Sequence, residues 1–239
     1  LTGCFDLSNS IEVQRVQGVN AGTLVGGPFS FCVDGEVDNV YGITLDSSNA
    51  SGSQNTWVIT DDQGKILGLP PTLAAVEGIN FDGAGAGTCL IWYARYQGEI
   101  TGLEVDMNAN NVTGNFALSN PLTVVRTQPE AGTITGGPFE FIVDETADFV
   151  TGIAVDNENA SGVNSSWIIT DETGKILGLP PTLADLKSVD FNAAGEGTCF
   201  IYYIRYEDGL TGMEPGWTFD EFNGCFDISN NIKVVRKVH

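Results

Sequence analysis

The segment Ser53–Pro71, SQNTWVITDDQGKILGLPP, returns as Val163–Pro181, VNSSWIITDETGKILGLPP, with each residue 110 positions after its counterpart. The match runs without a gap from Gly22 against Gly132 to Arg126 against Arg236, and about half of the paired positions are identical. A repeat this long is a duplicated domain rather than the short unit of a solenoid. The chain is therefore expected to fold as two copies of one module. Each copy is long enough to bury its own core.

The module's last segment occurs a third time. Residues 1–16, LTGCFDLSNSIEVQRV, match Thr113–Arg126 (TGNFALSNPLTVVR) and Asn223–Arg236 (NGCFDISNNIKVVR). The expected organisation is thus 1–16 as tail strands of a preceding repeat, or as a donor strand, 20–127 as the first sandwich and 130–239 as the second. The join Thr127–Ala131, with Pro129 inside it, is short and stiff. That predicts a rod, and a longer parent protein. No signal peptide opens the chain, so secretion would imply a mature or excised piece.

Within a module the pattern is β throughout. Phe29, Phe31 and Val33 alternate with Ser30, Cys32 and Asp34, and Gly26-Gly27-Pro28 opens that strand. A second short strand is expected at 41–45. Strands at 56–60 and 65–69 flank Asp61-Asp62-Gln63-Gly64, a hairpin turn, and Pro70-Pro71 stops the second of them. A helical turn is expected only at 72–76, and a loop at 83–87. The run TCLIWYARY, 88–96, is the best central strand, and 115–118 and 122–126 close the module. Seven to nine short strands per module predict an all-β chain of two tandem immunoglobulin-like β-sandwich domains, with a jelly roll as second choice.

The net charge of −21, from 31 acids and 10 bases, repels phosphate backbones and excludes a nucleic-acid partner. No apolar run reaches the roughly 20 residues of a membrane span, so membrane insertion is not expected. The sole histidine is the final residue, His239, which removes Ser-His-Asp and Cys-His chemistry from both modules. The glycines spell neither a P-loop nor a dinucleotide fingerprint. A non-enzymatic role follows.

Five cysteines in a polar β-rich chain suggest an oxidising compartment. Cys89 and Cys199 are equivalent, as are Cys4 and Cys225, whereas Asn115 and Ile142 stand opposite Cys225 and Cys32. Pairing within modules predicts Cys199–Cys225 and Cys32–Cys89, with Cys4 left over. A rival scheme pairs Cys4 with Cys89. No C-x-x-C occurs, which argues against zinc and redox motifs.

Four further sets of residues are candidates for a structural or binding role. Asp34, Asp38 and Asp46 recur as Asp144, Asp148 and Asp156, and could gather oxygens for calcium, the candidate cofactor. Against this, Asp is also an ordinary turn former and edge guard, as at Asp61-Asp62 and Asp171-Glu172. Trp57, Trp92, Tyr93 and Tyr96 recur as Trp167, Tyr202, Tyr203 and Tyr206; an exposed row of this kind would stack on glycans, a buried one would pack a core. Trp217 and its counterpart Met107 fall in the variable loop and are the expected exposed contacts. Arg95 and Arg205 interrupt the most apolar strand and are expected to form a structural ion pair, or else an anion clamp.

The tandem pattern GGPFxFxVD, WVITD, GKILGLP, GTCLIWYxRY and GCFDLSN resembles repeat modules of large secreted, surface-anchored, adhesin-like proteins of marine Bacteroidota. The resemblance implies an extracellular location and a repeat architecture. Three roles are then expected: a rigid stalk or fibre segment whose partners are neighbouring repeats, a carbohydrate-binding module, or a donor-strand-linked filament subunit.

Overall fold

The computed structural model describes residues 4, 6, 8–13, 18–156, 158 and 160–238. The chain is nearly all β. In the first repeat the strands are β1 (Thr23–Val25), β2 (Phe29–Cys32), β3 (Thr44–Asp46), β4 (Gln54–Asp61), β5 (Ile66–Gly68), β6 (Gly87–Thr101), β7 (Thr113–Leu118) and β8 (Leu122–Thr127). In the second they are β9 (Thr133–Thr135), β10 (Phe139–Ile142), β11 (Ala154–Asp156), β12 (Asn164–Asp171), β13 (Ile176–Gly178), β14 (Gly197–Tyr206), β15 (Phe226–Ile228) and β16 (Ile232–Lys237).

Each repeat builds the same two sheets. A mixed six-stranded sheet runs β2-β8-β6-β4-β5, with β7 also on β6; its second copy runs β10-β16-β14-β12-β13, with β15 on β14. A two-stranded sheet, β1-β3 or β9-β11, forms the other layer. The result is two sandwich-like domains. The last strand of each repeat lies inside its sheet, parallel to β2 or β10 on one side and next to β6 or β14 on the other. Compactness draws a different line. One compact unit takes Leu1–Gly27, Val40–Gly78 and Cys89–Thr123; the other takes Pro28–Asn39, Ile79–Thr88 and Val124–His239.

Why do these residues form these elements? In β12, Trp167, Ile168, Ile169 and Thr170 are buried in succession, not alternately. Both faces of the six-stranded sheet are covered. Trp167, Ile169, Cys199, Ile201, Tyr203 and Val234 pack one core, and Ile168, Ile176 and Ile204 pack a second on the opposite face. A strand buried on both faces reads as a continuous apolar run. The outer core of the first repeat is Val58, Ile66 and Ala94, backed by Trp92, Leu103 and Leu118.

The short helices start where a hydroxyl caps them. Thr72 accepts from Ala75 N ahead of α1 (Leu73–Glu77), and Thr182 accepts from Asp185 N ahead of α2 (Leu183–Leu186). The expected turn at 72–76 is therefore present. The strand expected at 41–45 is shifted: Tyr41 is exposed, and pairing starts only at Thr44. β1 was not expected from the pattern, because three residues cannot display a period. It is fixed instead by its partners. Gly22, at φ +85°, lies so close to the Asp46 carbonyl that a Cβ would meet it at 2.5 Å, and Gly132 is as crowded against the Asp156 carbonyl.

The two layers are tied by one asparagine per repeat. Asn120 accepts from Leu24 N at 2.8 Å and donates to Leu24 O at 3.0 Å. Asn230 does the same for Ile134, at 2.7 and 2.9 Å. Ser119 and Ser229, one residue before, accept from the Tyr93 and Tyr203 amides. These corners explain why SN recurs in every copy of the tail.

Candidate functional site

The cysteines overturn the expected pairing. Cys32 is bonded to Cys225, 193 residues away in sequence, with their Cα atoms 5.3 Å apart. Cys199–Cys225, Cys32–Cys89 and Cys4–Cys89 are all absent, and Cys4, Cys89 and Cys199 take part in no disulfide. The reason is burial and facing. Cys89 and Cys199 point into the sandwich cores, 2% and 1% exposed, where they pack as small apolar side chains. Burial pushes the Cys199 thiol pKa up, and the Arg236 guanidinium partly opposes that rise. Cys32 ends β2 and Cys225 immediately precedes β15, so the bond links one repeat's early strand to the next repeat's tail. Pairing by repeat equivalence assumed that each module closes on itself.

The arginines also differ from expectation. Arg95 and Arg205 are half-buried, and among the described residues neither forms an ion pair. Arg95 donates to Gly52 O at 3.4 Å, with its guanidinium carbon 5.9 Å from the Tyr93 ring centroid. Arg205 donates to Ser161 O at 3.3 Å. Backbone carbonyls at the sandwich end take the place of the expected carboxylate. The buried arginines are Arg126 and Arg236, each 6% exposed. They donate to Phe81 O and Phe191 O at 3.4 Å, and both Nε atoms are buried without a hydrogen-bond partner. Gly87 and Gly197 stand at φ +144° and +147°, where a side chain is strained, and a Cβ there would also come within 3.3 Å of a guanidinium nitrogen of Arg126 or Arg236. The alternation Leu122, Val124, Arg126 carries this signal, because all three residues share the buried face.

In the second repeat a cavity of about 420 Å³ borders this arginine. Leu177, Leu179, Val189 and Phe191 line it together with Cys199 and Arg236.

The acidic residues divide into two groups. Asp34 and Asp38 lie near Asp82, whose carboxylate accepts the amides of Asp34 and Gly35 at 2.9 and 3.3 Å. Burial, with Asp34 and Asp82 nearby, holds the Asp38 pKa above the usual carboxylate range. In the second repeat Asn192 accepts from Asp144 N and Asp190 accepts from Asp148 N, both at 3.0 Å. The Oδ2 atoms of Asp38 and Asp148 are buried without a hydrogen-bond partner. Asp46 and Asp156 stand apart, at the ends of β3 and β11, where they accept the Ser48 and Glu158 amides. The Ser48 hydrogen bonds hold the Asp46 pKa below its ordinary value. Asp34 and Asp144 likewise accept amides two residues on, from Glu36 and Thr146. No group of three or more His, Cys, Asp or Glu among the described residues is arranged to hold a metal ion. Each of the four turn-forming aspartates, 34, 46, 144 and 156, accepts a backbone amide through Oδ1. So do the hairpin residues Asp61 and Asp171. Asp171 accepts from the Thr173 hydroxyl and from the amides of Thr173 and Lys175, and its pKa is lowered, chiefly by the Thr173 side chain.

The aromatic row splits between the two faces of its strand. Trp57 and Tyr93 meet edge to face in the core at 5.1 Å, and Trp167 and Tyr203 pair at the same distance. Trp92 turns outward but donates to the Thr60 hydroxyl at 3.1 Å. Tyr202 starts a chain of edge contacts through Phe219, Phe222 and Phe226. A stacking platform for sugars would need these faces open.

Trp217 and Met107 are exposed, 42% and 44%. Their backbones have a task that their side chains did not announce. Ile66 N donates to Met107 O and Asp106 N to Ile66 O; Ile176 N donates to Trp217 O and Gly216 N to Ile176 O. The variable loops are therefore clipped onto the edge strands β5 and β13. Lys65 and Asp106 add an exposed ion pair at 2.8 Å, which raises the Lys65 pKa. Covering an edge in this way removes a template for unwanted strand pairing. His239 lies outside the described residues.

No family model matches the chain, and no curated protein matches it. Among solved structures, a crystal structure of Drosophila N-cadherin EC1-3 is similar over 92% of this chain and 69% of that chain, at 9% identity and a TM-score of 0.23.

Proposed function

We propose that this chain is a non-catalytic, load-bearing repeat segment of an extracellular or cell-surface protein, built to hold its neighbours in a stalk or fibre. The observation that carries the reading is the Cys32–Cys225 bond, which locks most of the two repeats behind one covalent link. Such a bond persists in an oxidising compartment and shields the enclosed chain from extension. The duplicated Asn clamps, serine corners and buried arginines support it. The same residues perform the same structural tasks in both copies. The adhesin-like repeats that the sequence resembles fit this reading, and the Drosophila protein plays no part in it. A carbohydrate-binding role is less favoured because Trp57, Trp167, Tyr93 and Tyr203 are buried.

Force-extension of a single molecule pulled from its two ends tests the proposal. The bond encloses 193 residues, so about 65–70 nm of chain at roughly 3.5 Å per residue should stay hidden until a reductant is added. Release of that length without reductant would refute the shielded, load-bearing role. So would recovery of Cys32 and Cys225 as free thiols from the native source.

A further inference from the structure

We propose that the cavity beside Arg236 in the second repeat binds a medium-chain fatty acid, with the ligand's carboxylate on the guanidinium and its alkyl chain along the apolar wall. The stalk role neither requires such a site nor supplies one. The wall is mostly aliphatic: Ile169, Leu177, Leu179 and Val189 line it, and Phe191 adds one ring. Leu177 is 50% exposed, so this wall is reached from solvent along β13. The volume of about 420 Å³ equals roughly 14 waters at about 30 Å³ each, which is room for an organic molecule of about ten non-hydrogen atoms.

Arg236 decides the sign of the ligand's charge. A guanidinium stays protonated, and burying one without a counter-ion is costly. Arg236 is 6% exposed, yet among the described residues it forms no ion pair. Nη1 donates to Phe191 O over a long 3.4 Å, and Nε is buried without a partner. Gly197 lays no side chain over Nη2, where a Cβ would stand 3.3 Å away. Cys199, also in the wall, does not neutralise the charge, because burial raises its thiol pKa and keeps it protonated. A carboxylate supplies the missing counter-ion through charge-assisted hydrogen bonds, and the chain behind it covers the aliphatic wall. Two acids line the cavity as well, Asp185 and Asp190, and neither pairs with Arg236. Asp185 accepts the Thr182 hydroxyl, and Asp190 accepts the amides of Asp148 and Asn192. Their charge opposes an anion, so neutralising one tightens the binding.

Scanning calorimetry of the full chain with octanoate tests the site, with octanol and octylamine as neutral and cationic probes of the same chain length. For a ligand of this size a Kd on the order of 100 µM is expected. At ten times that concentration octanoate should raise the second repeat's melting temperature by about 5 °C. Octanol should give less than half of that rise at the same concentration, and octylamine none. Arg236→Met should remove the octanoate response. Leu177→Asp, at a half-exposed position, should remove it while the second repeat still melts cooperatively. Asp185→Asn should tighten octanoate binding roughly threefold, as expected for one exposed like charge. No rise with octanoate, or an equal rise with octanol, overturns the proposal. So does a rise that survives Leu177→Asp, or an affinity that Asp185→Asn leaves unchanged or weakens. Both of these variants decide the matter even where Arg236→Met fails to fold. None of these outcomes depends on the force-extension result, so failure of the site and failure of the stalk reading can be told apart.

Discussion

Reducing the Cys32–Cys225 bond should lower the melting temperature of both repeats. The bond closes a loop of 193 residues when the whole chain unfolds. On the chain-entropy model that constraint contributes about 5 kcal/mol. If only the first repeat unfolds, its chain is still held at Cys32 by the bond and near Thr127, the end of β8, by the next repeat. That loop has 127 − 32 = 95 residues, and the constraint is about 4.7 kcal/mol. At about 4 °C per kcal/mol for a domain of this size, each transition should fall by roughly 15–20 °C. The assay is scanning calorimetry with and without a phosphine reductant, and with Cys225→Ser as a chemical control. The reductant should leave Cys225→Ser unchanged, and that variant should melt where the reduced parent melts. Non-reducing peptide mapping accompanies it. Cys4 should be alkylated in the folded protein, while Cys89 and Cys199 should react only after unfolding, because both are buried. A shift below about 4 °C would refute the entropy argument. A recovered Cys199–Cys225 or Cys32–Cys89 peptide would refute the pairing itself.

Removing either asparagine clamp should cost about 2 kcal/mol, because the amide and the carbonyl of a buried residue, Leu24 or Ile134, lose their partner together. Asn120→Ala should weaken the first repeat and Asn230→Ala the second, each read from its own denaturant transition; a cost confined to one repeat would contradict the shared design. Asp38→Asn should stabilise the first repeat at pH 7 and not below about pH 4. The sign follows from the raised folded-state pKa: stability present when Asp38 is neutral is lost as the pH rises through that pKa, and Asn avoids the loss. A gain that persists unchanged at pH 3 would dismiss this account. Exchanging calcium for EDTA should leave melting unchanged, because no three carboxylates among the described residues converge to hold an ion. A calcium-dependent rise of more than about 10 °C would instead make the turn aspartates ligands.

Much of the secondary structure was legible because it depends on short-range chemistry. Phe29 and Phe31 alternate with smaller residues, Gly64 closes the Asp61 turn, and Thr72 caps α1 through its own hydroxyl. The core tryptophans were also readable, since an aromatic in the strongest strand packs inward by default. Three things were not legible. β1 and β9 are too short to show a period, and they exist because an asparagine some 96 residues later holds them. The edge-covering loops act through main-chain bonds at Met107 and Trp217, which have no side-chain signature. Arg95 breaks an apolar run, whereas Arg126, which follows Leu122 and Val124 in plain alternation, is the arginine buried in the first repeat.

The amino-acid sequence alone establishes the duplication, the all-β character, the acidic surface and the third copy of the tail. Each of these is a property of composition or of local spacing, and none requires knowing which distant residues meet. The partner of Cys32, the carbonyls taken by the arginines, the duties of the aspartates and the cavity beside Arg236 belong to the folded chain. They depend on which side chains the sheets bring within bonding distance. A bond 5.3 Å across at Cα but 193 residues long in sequence is invisible to any local pattern.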